Sequence, residues 1–121
     1  MEKLLIACLL FFLCLYTNAV AGEADVVNVS VKNRGNNTFD FSVTVLHKDT
    51  GWDHYANKWE IVDQNGQILG TRILHHPHVD EQPFTRSLTG VKIPNNIIKV
   101  IIRAHDLIHA YGGKTVIVEL P

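Results

Sequence analysis

From about residue 25 onward, hydrophobic and polar residues alternate with a period of two, and turn residues interrupt the alternation at short intervals. A period of two is typical of β-strands that bury one face. In residues 38–47, for example, Phe39, Phe41, Val43 and Val45 alternate with polar residues. The pattern predicts seven strands, at about residues 26–33, 38–47, 58–63, 67–74, 84–91, 97–104 and 114–120.

The connections between these strands are short, and no segment shows a helical period. Asn65-Gly66 predicts a type I′ hairpin turn, because both residue types tolerate a positive φ. This hairpin would keep the third and fourth strands in one sheet. We therefore expect an all-β fold, a seven-stranded antiparallel β-sandwich that is immunoglobulin-like or, more closely, fibronectin type III-like. Trp59 is predicted to be its core aromatic residue.

The first 21 residues have a different character from the rest of the chain. A short charged start is followed by an unbroken apolar run over residues 4–16, and then by Ala19-Val20-Ala21. This order is typical of a secretory signal, and the run is too short to span a bilayer comfortably. The alternatives are an uncleaved anchor and a lipoprotein, and the second is disfavoured because Cys14 follows Leu13, where a lipid-attachment signal needs a small residue. We predict a signal peptide over residues 1–21, cleavage after Ala21, and one domain over residues 22–121 in the periplasm or outside the cell.

Removal of this segment changes the available chemistry. Cys8, Cys14 and Met1 all lie within it, so the mature domain has no sulfur atom. Thiol catalysis, disulfides and thiolate metal sites are therefore excluded. The net charge of the chain is −1 at pH 7, and no stretch is strongly basic. A nucleic-acid partner is therefore not expected, and no membrane partner is expected after cleavage.

The seven histidines all belong to residues 22–121. In a sandwich whose strands run alternately up and down, every second connection lies at the same end. The second, fourth and sixth connections, with the strand end that enters the second, contain every histidine: His47, His54, His75, His76, His78, His105 and His109. We therefore predict that the imidazoles gather at one end of the domain.

Clustered imidazoles are typical ligands of Cu²⁺ and Zn²⁺. His76-Pro77-His78 would project two rings to one side of an extended segment, and the i, i+4 spacing of His105 and His109 would do so on a helical turn. The predicted metal ligands are His54, His76, His78, His105 and His109. Asp53, Glu81 and Asp106 are carboxylates that could ligate the ion or orient the rings. His47 shares the inward parity of the second strand and is expected to be a hydrogen-bonded core residue, while His75 is out of phase with His76 and His78.

Three segments carry a resemblance to a known family. They are GWDHYANKWEI (51–61), LGTRILHHPHVDEQPFTRSLTGVKIP (69–94) and RAHDLIHAYGG (103–113). They resemble a family of small exported bacterial proteins of uncharacterised function, and the resemblance covers most of residues 22–121. It implies a periplasmic or secreted setting, and it implies no activity and no catalytic residue.

The sequence thus favours an exported protein with a histidine-rich polar site that binds Cu²⁺ or Zn²⁺ for transfer, storage or sensing. One alternative is a metal-independent module that binds a protein or a glycan through the same loops, where Trp52, Tyr55 and Tyr111 would supply aromatic contacts. A second is a metalloenzyme, which would need an open coordination position and a nearby base such as Glu81 or Asp53. Of these, an enzyme is favoured least.

Overall fold

The computed structural model describes residues 22–121. It contains seven β-strands, which we number in chain order: β1 (Asp25–Gly35), β2 (Thr38–Leu46), β3 (Ala56–Val62), β4 (Ile68–Ile73), β5 (Phe84–Lys92), β6 (Lys99–Asp106) and β7 (Val116–Glu119). They form two antiparallel sheets, and the predicted all-β class is confirmed. The described part of the chain has no helix long and apolar enough to cross a membrane.

The two sheets have the strand orders β1-β2-β5 and β4-β3-β6-β7. The hydrophobic core draws buried side chains from both, including Phe41 and Val43 of β2, Trp59 and Ile61 of β3, and Ile102 of β6. The alternation of burial along β2 matches the pattern of its sequence. Trp59 has no exposed surface, which confirms its predicted place in the core. Because β2, β3 and β6 are central, their ends give the connecting loops a rigid support.

The predicted type I′ turn at Asn65-Gly66 is wrong. Gly66 has a positive φ of 82° and Asn65 does not. The side chain of Asp63 organises this turn instead, because its Oδ1 accepts hydrogen bonds from the backbone N–H groups of Asn65 and Gln67. The pair of positive φ angles typical of a type I′ turn occurs at Asn36 (54°) and Asn37 (59°), between β1 and β2.

The segment before β1 packs tightly against the segment before β7. The N–H of Val26 donates to the Lys114 carbonyl at 2.9 Å, and the N–H of Lys114 donates to Asp25 Oδ1 at 2.8 Å. Ala24 is buried, and its carbonyl oxygen would lie only 1.9 Å from a Cβ atom placed on Gly113. Because Gly113 has no side chain, the two segments can approach this closely. The hydrogen bonds with Lys114 then fix where residues 22–24 lie.

Candidate metal centre

Three side chains converge where the two sheets end. His47 directly follows β2, His54 lies in the connection to β3, and Asp106 is the last residue of β6. Nε2 of His54 lies 3.2 Å from Nε2 of His47 and 3.2 Å from Oδ1 of Asp106. Asp106 Oδ2 lies 4.0 Å from Nε2 of His47. Ligands at about 2.0–2.1 Å from a tetrahedral Zn²⁺ are about 3.3 Å apart, so this spacing suits a shared metal ion.

The carboxylate of Asp106 has two oxygens in different situations. Oδ1 accepts hydrogen bonds from the backbone N–H groups of Ile108 and His109, at 2.9 and 2.7 Å, and His109 Nδ1 lies 3.1 Å from it. Oδ2 is buried and has no hydrogen-bond partner among residues 22–121. A buried carboxylate oxygen without a partner is costly, and a cation would satisfy it. Oδ2 is therefore the oxygen available to a metal.

Asp106 remains ionised at neutral pH. Burial by itself would raise the pKa of Asp106, but the N–H groups of His109 and Ile108, the His109 ring and the nearby His47 ring together hold that pKa below its ordinary value. The turn after β6 thus stabilises the negative charge, and this charge is directed at the two imidazoles of His47 and His54.

A second carboxylate orients His47. Nδ1 of His47 lies 2.5 Å from Asp49 Oδ1, and both side chains are completely buried. A carboxylate only accepts hydrogen bonds, so Nδ1 carries a proton. The opposite nitrogen, Nε2, faces His54 and the carbonyl oxygen of Gly22, which lies 2.8 Å away. A carboxylate behind an imidazole that faces a cation is the usual arrangement of protein metal sites.

The histidine-rich connection between β4 and β5 supports His47 from behind. Asp49 Oδ2 accepts the backbone N–H of His78 at 2.7 Å. The Gln82 side chain accepts the N–H of His47 through Oε1 and donates to the His78 carbonyl through Nε2. This loop therefore holds Asp49 and the backbone of His47 in place.

The rings of His76 and His78 do lie side by side, with centroids 4.6 Å apart. His78 also stacks on Phe84, with centroids 3.9 Å apart, and its Nε2 accepts a hydrogen bond from Arg86 at 2.9 Å. The structure thus brings the two predicted ligands together, but it places them beside Phe84 and Arg86 and not beside His54.

The spacing of His105 and His109 does not produce a helical turn that carries both rings. His105 belongs to β6, and its Nδ1 lies 2.6 Å from the Asn57 side-chain oxygen. His109 follows the turn and packs against His54, with ring centroids 5.1 Å apart. Of the five predicted ligands, His54 and His109 therefore lie at the candidate metal centre, the cluster formed with His47 and Asp106.

The three predicted orienting carboxylates also separate. Asp106 is a candidate ligand in its own right. Glu81 is exposed and lies 3.7 Å from Arg86, and Asp53 is exposed in the loop. The sequence did not point to Asp49, Gln82 or Gly22, and for His47 it favoured a place in the core over a place in the metal site. The inward parity of His47 was the signal that could have revealed its polar surroundings, because a fully buried imidazole needs polar partners for both ring nitrogens.

We expect Asp49→Asn to weaken both the fold and metal binding. Both carboxylate oxygens of Asp49 accept hydrogen bonds from buried N–H groups, whereas the asparagine side chain has only one acceptor oxygen. At least one of these N–H groups would therefore lose its partner, which costs about 1–3 kcal/mol. Loss of the carboxylate behind a metal-binding imidazole typically lowers metal affinity by roughly 10- to 100-fold. Urea unfolding and metal titration measure the two effects. Asp53→Asn, in the exposed part of the same loop, is the matched control, and equal effects of the two changes would contradict the assignment.

His78 is expected to titrate below the ordinary histidine value of about 6.5. Burial lowers the pKa of His78, and repulsion from the Arg86 guanidinium and from His76 lowers it further. The unfolded chain therefore binds this proton more readily than the folded domain. The stability that His78 contributes is complete above about pH 6.5 and falls as the pH drops from there towards its folded pKa.

An NMR titration of the His78 ring measures this pKa directly. In Arg86→Gln the pKa should rise, because one nearby positive charge is gone. A His78 pKa at or above 6.5 in the unmodified protein would show that this environment does not disfavour the charged ring.

One comparison with known proteins finds a relative. A protein of Halomicrobium mukohataei named "Putative lipoprotein" is 41% identical over 97 residues, which is 80% of this chain and 47% of that protein. The chain thus spans about half the length of the curated relative it matches. No protein-family model matches the chain. No solved structure matches it either.

Proposed function

We propose that this chain is an exported protein that binds one divalent transition-metal ion, Zn²⁺ or Cu²⁺, for transfer, storage or sensing. The candidate ligands are His47 Nε2, His54 Nε2 and a carboxylate oxygen of Asp106. The observation that carries the proposal is the buried carboxylate of Asp106. Its Oδ2 has no hydrogen-bond partner among residues 22–121 and lies 4.0 Å from the Nε2 atom of His47, whose ring Asp49 holds from behind.

The donor atoms favour these two metals. Two imidazole nitrogens and one carboxylate oxygen suit Zn²⁺ and Cu²⁺, and residues 22–121 offer no soft sulfur ligand. The 3.2 Å between the Nε2 atoms of His47 and His54 is close to the separation of ligands in a tetrahedral Zn²⁺ site, and Asp106 Oδ2 lies 4.0 Å from His47 Nε2. Cu²⁺ would require a flatter arrangement of the same donors.

The enclosure of the site supports binding more than catalysis. The side chains of His47 and Asp106 are fully buried, and that of His54 is 17% exposed. Catalytic zinc sites keep a coordination position open to water and substrate. Here an ion would approach past His54 and His109, and its ligands would be covered by protein. A metalloenzyme therefore has less support.

The setting and the fold type belong to the same proposal. The relative's printed name is that of a lipoprotein, which supports an exported or envelope location together with the signal-like residues 1–21. β4 pairs with β3 and not with β5. This arrangement supports a fibronectin type III-like sandwich over the immunoglobulin constant type, in which the fourth strand belongs to the first sheet.

Titration of the mature protein with Zn²⁺ and Cu²⁺, in competition with a chelator of known affinity, tests the proposal. We expect one ion per chain and a roughly 100-fold or larger loss of affinity in His54→Ala, which removes a partly exposed ring. His75→Ala/His76→Ala is the matched control, since it removes two imidazoles from the neighbouring loop. Binding that survives in His54→Ala and disappears in the control would refute this ligand set.

A second candidate function is the interaction module. Trp52 is 66% exposed and Ile108 is 61% exposed, and both lie on the loops that hold the candidate ligands. Trp52 contacts Tyr55, whose carbonyl accepts the N–H of Leu107, so these loops form a continuous surface. A partner captured equally by the unmodified protein and by His54→Ala, but not by Trp52→Ser, would favour this function.

A further inference from the structure

The residue that follows the predicted cleavage position lies inside the candidate metal centre. The carbonyl oxygen of Gly22 is 2.8 Å from Nε2 of His47, the nitrogen that would bind the ion. A Cβ atom on residue 22 would lie 2.4 Å from Cε1 and 2.8 Å from Nε2 of the His109 ring. A side chain at position 22 would therefore have to displace the His109 ring, and the φ of 133° at Gly22 is one that residues other than glycine rarely adopt.

The position of Gly22 is fixed by the chain that follows it. Ala24 is buried against Gly113. Hydrogen bonds between Val26 and Lys114 and between Lys114 and Asp25 fasten this N-terminal segment to the segment before β7. Gly22 is therefore only two residues from an anchored point, and its backbone has little freedom to leave the cluster.

The Gly22 carbonyl needs a positive neighbour in this position. A carbonyl oxygen only accepts hydrogen bonds, so its contact with His47 Nε2 requires either a proton on that nitrogen or a cation shared by both atoms. The oxygen lies 2.8 Å from Nε2. This is shorter than the separation of tetrahedral ligands and is close to that of two ligands at about 90° around one ion, as in the flatter arrangement of Cu²⁺.

We propose that the α-amino group of Gly22, released when the signal peptide is removed, is a ligand of this metal site together with the Gly22 carbonyl. The inference rests on the proposed metal-binding function and on cleavage after Ala21. Hydrolysis of the Ala21–Gly22 bond by water leaves a carboxylate on Ala21 and a free amine on Gly22. The amine nitrogen and the carbonyl oxygen of one glycine are three bonds apart, so they close a five-membered ring on an ion.

In the precursor, the same nitrogen is part of a peptide bond. Its lone pair is delocalised into the carbonyl group of Ala21, which makes it a poor donor. Cleavage therefore adds the Gly22 nitrogen as a further metal ligand beside His47, His54 and Asp106. Tight metal binding then depends on export and processing.

Two forms of the protein that differ by one native residue test this inference. The first begins at Gly22 and is isolated after export, with its N-terminus checked by mass spectrometry. The second begins at Ala21 and is released from a fusion, so that the Gly22 nitrogen is an amide. We expect the form that begins at Ala21 to bind Cu²⁺ at least tenfold more weakly. Its Cu²⁺ electron paramagnetic resonance spectrum should show one fewer nitrogen ligand. Urea unfolding of the metal-free forms should give the same midpoint.

The outcomes separate the two proposals. Equal Cu²⁺ affinity and identical spectra of the two forms would overturn the role of the Gly22 amine and leave the metal site standing. An exported protein that begins at another residue would overturn it too. If neither form binds Zn²⁺ or Cu²⁺, the metal-binding function itself fails.

Discussion

Asp106→Asn should lower the affinity for Zn²⁺ or Cu²⁺ by roughly 100-fold or more, because it removes the only negative charge among the three candidate ligands. The asparagine oxygen can still accept the N–H groups of Ile108 and His109, which Asp106 Oδ1 accepts at 2.9 and 2.7 Å. The turn after β6 should therefore persist. Metal titration measures the loss, and circular dichroism verifies the fold.

Asp106→Ala separates the structural contribution of this side chain from its charge. Alanine leaves the two N–H groups without their acceptor, in a place where Asp106 is completely buried. We expect a further loss of about 2–4 kcal/mol in the free energy of unfolding relative to Asp106→Asn. If Asp106→Asn kept full metal affinity, the carboxylate could not be a ligand and the proposed centre would fail.

Gly113→Ala should destabilise the domain by about 2–3 kcal/mol, since the new Cβ atom would lie 1.9 Å from the backbone oxygen of Ala24. A backbone segment cannot rotate away as a side chain can, so residues 22–25 must shift. The hydrogen bond between Val26 and Lys114 should then weaken, and Gly22 should move away from His47. Urea unfolding measures the loss of stability, and amide exchange at Val26 reports the local opening.

Gly112→Ala is the matched control for this change. Its Cβ atom would meet the carboxylate of Glu23 at 2.7 Å, and this end of a flexible side chain can move away at little cost. We expect a loss well under 1 kcal/mol. A comparable loss in both variants would show that the close packing of Ala24 on Gly113 is not what holds the N-terminal segment.

The strands could be predicted because their cause is local. A strand that buries one face must alternate, and in β2 the alternating residues Phe39 to Val45 are the ones that enter the core. The turn after β3 could not be predicted from Asn65-Gly66 alone. There the side chain of Asp63 accepts two backbone N–H groups and selects another turn geometry. A dipeptide preference is weaker than such a contact.

The candidate site was predictable in part for a topological reason. Connections that alternate between the two ends bring His54 of the second loop beside His109 of the sixth. Sequence spacing says in which direction a ring projects, but it does not say which neighbour binds it. Arg86 and Phe84 bind the ring of His78, and Asn57 binds that of His105. The contacts of His78 join a loop to the strand that follows it, and the contact of His105 with Asn57 joins β6 to β3. The alternation of hydrophobic and polar residues encodes neither.

The candidate ligands come from both sheets, since His47 ends β2 and Asp106 ends β6. An ion held by both would therefore act as a removable cross-link in a domain without cysteine between residues 22 and 121. Binding to the folded state alone stabilises it in proportion to the logarithm of the free ion concentration. The resistance of this protein to unfolding and proteolysis would then follow the supply of metal around it.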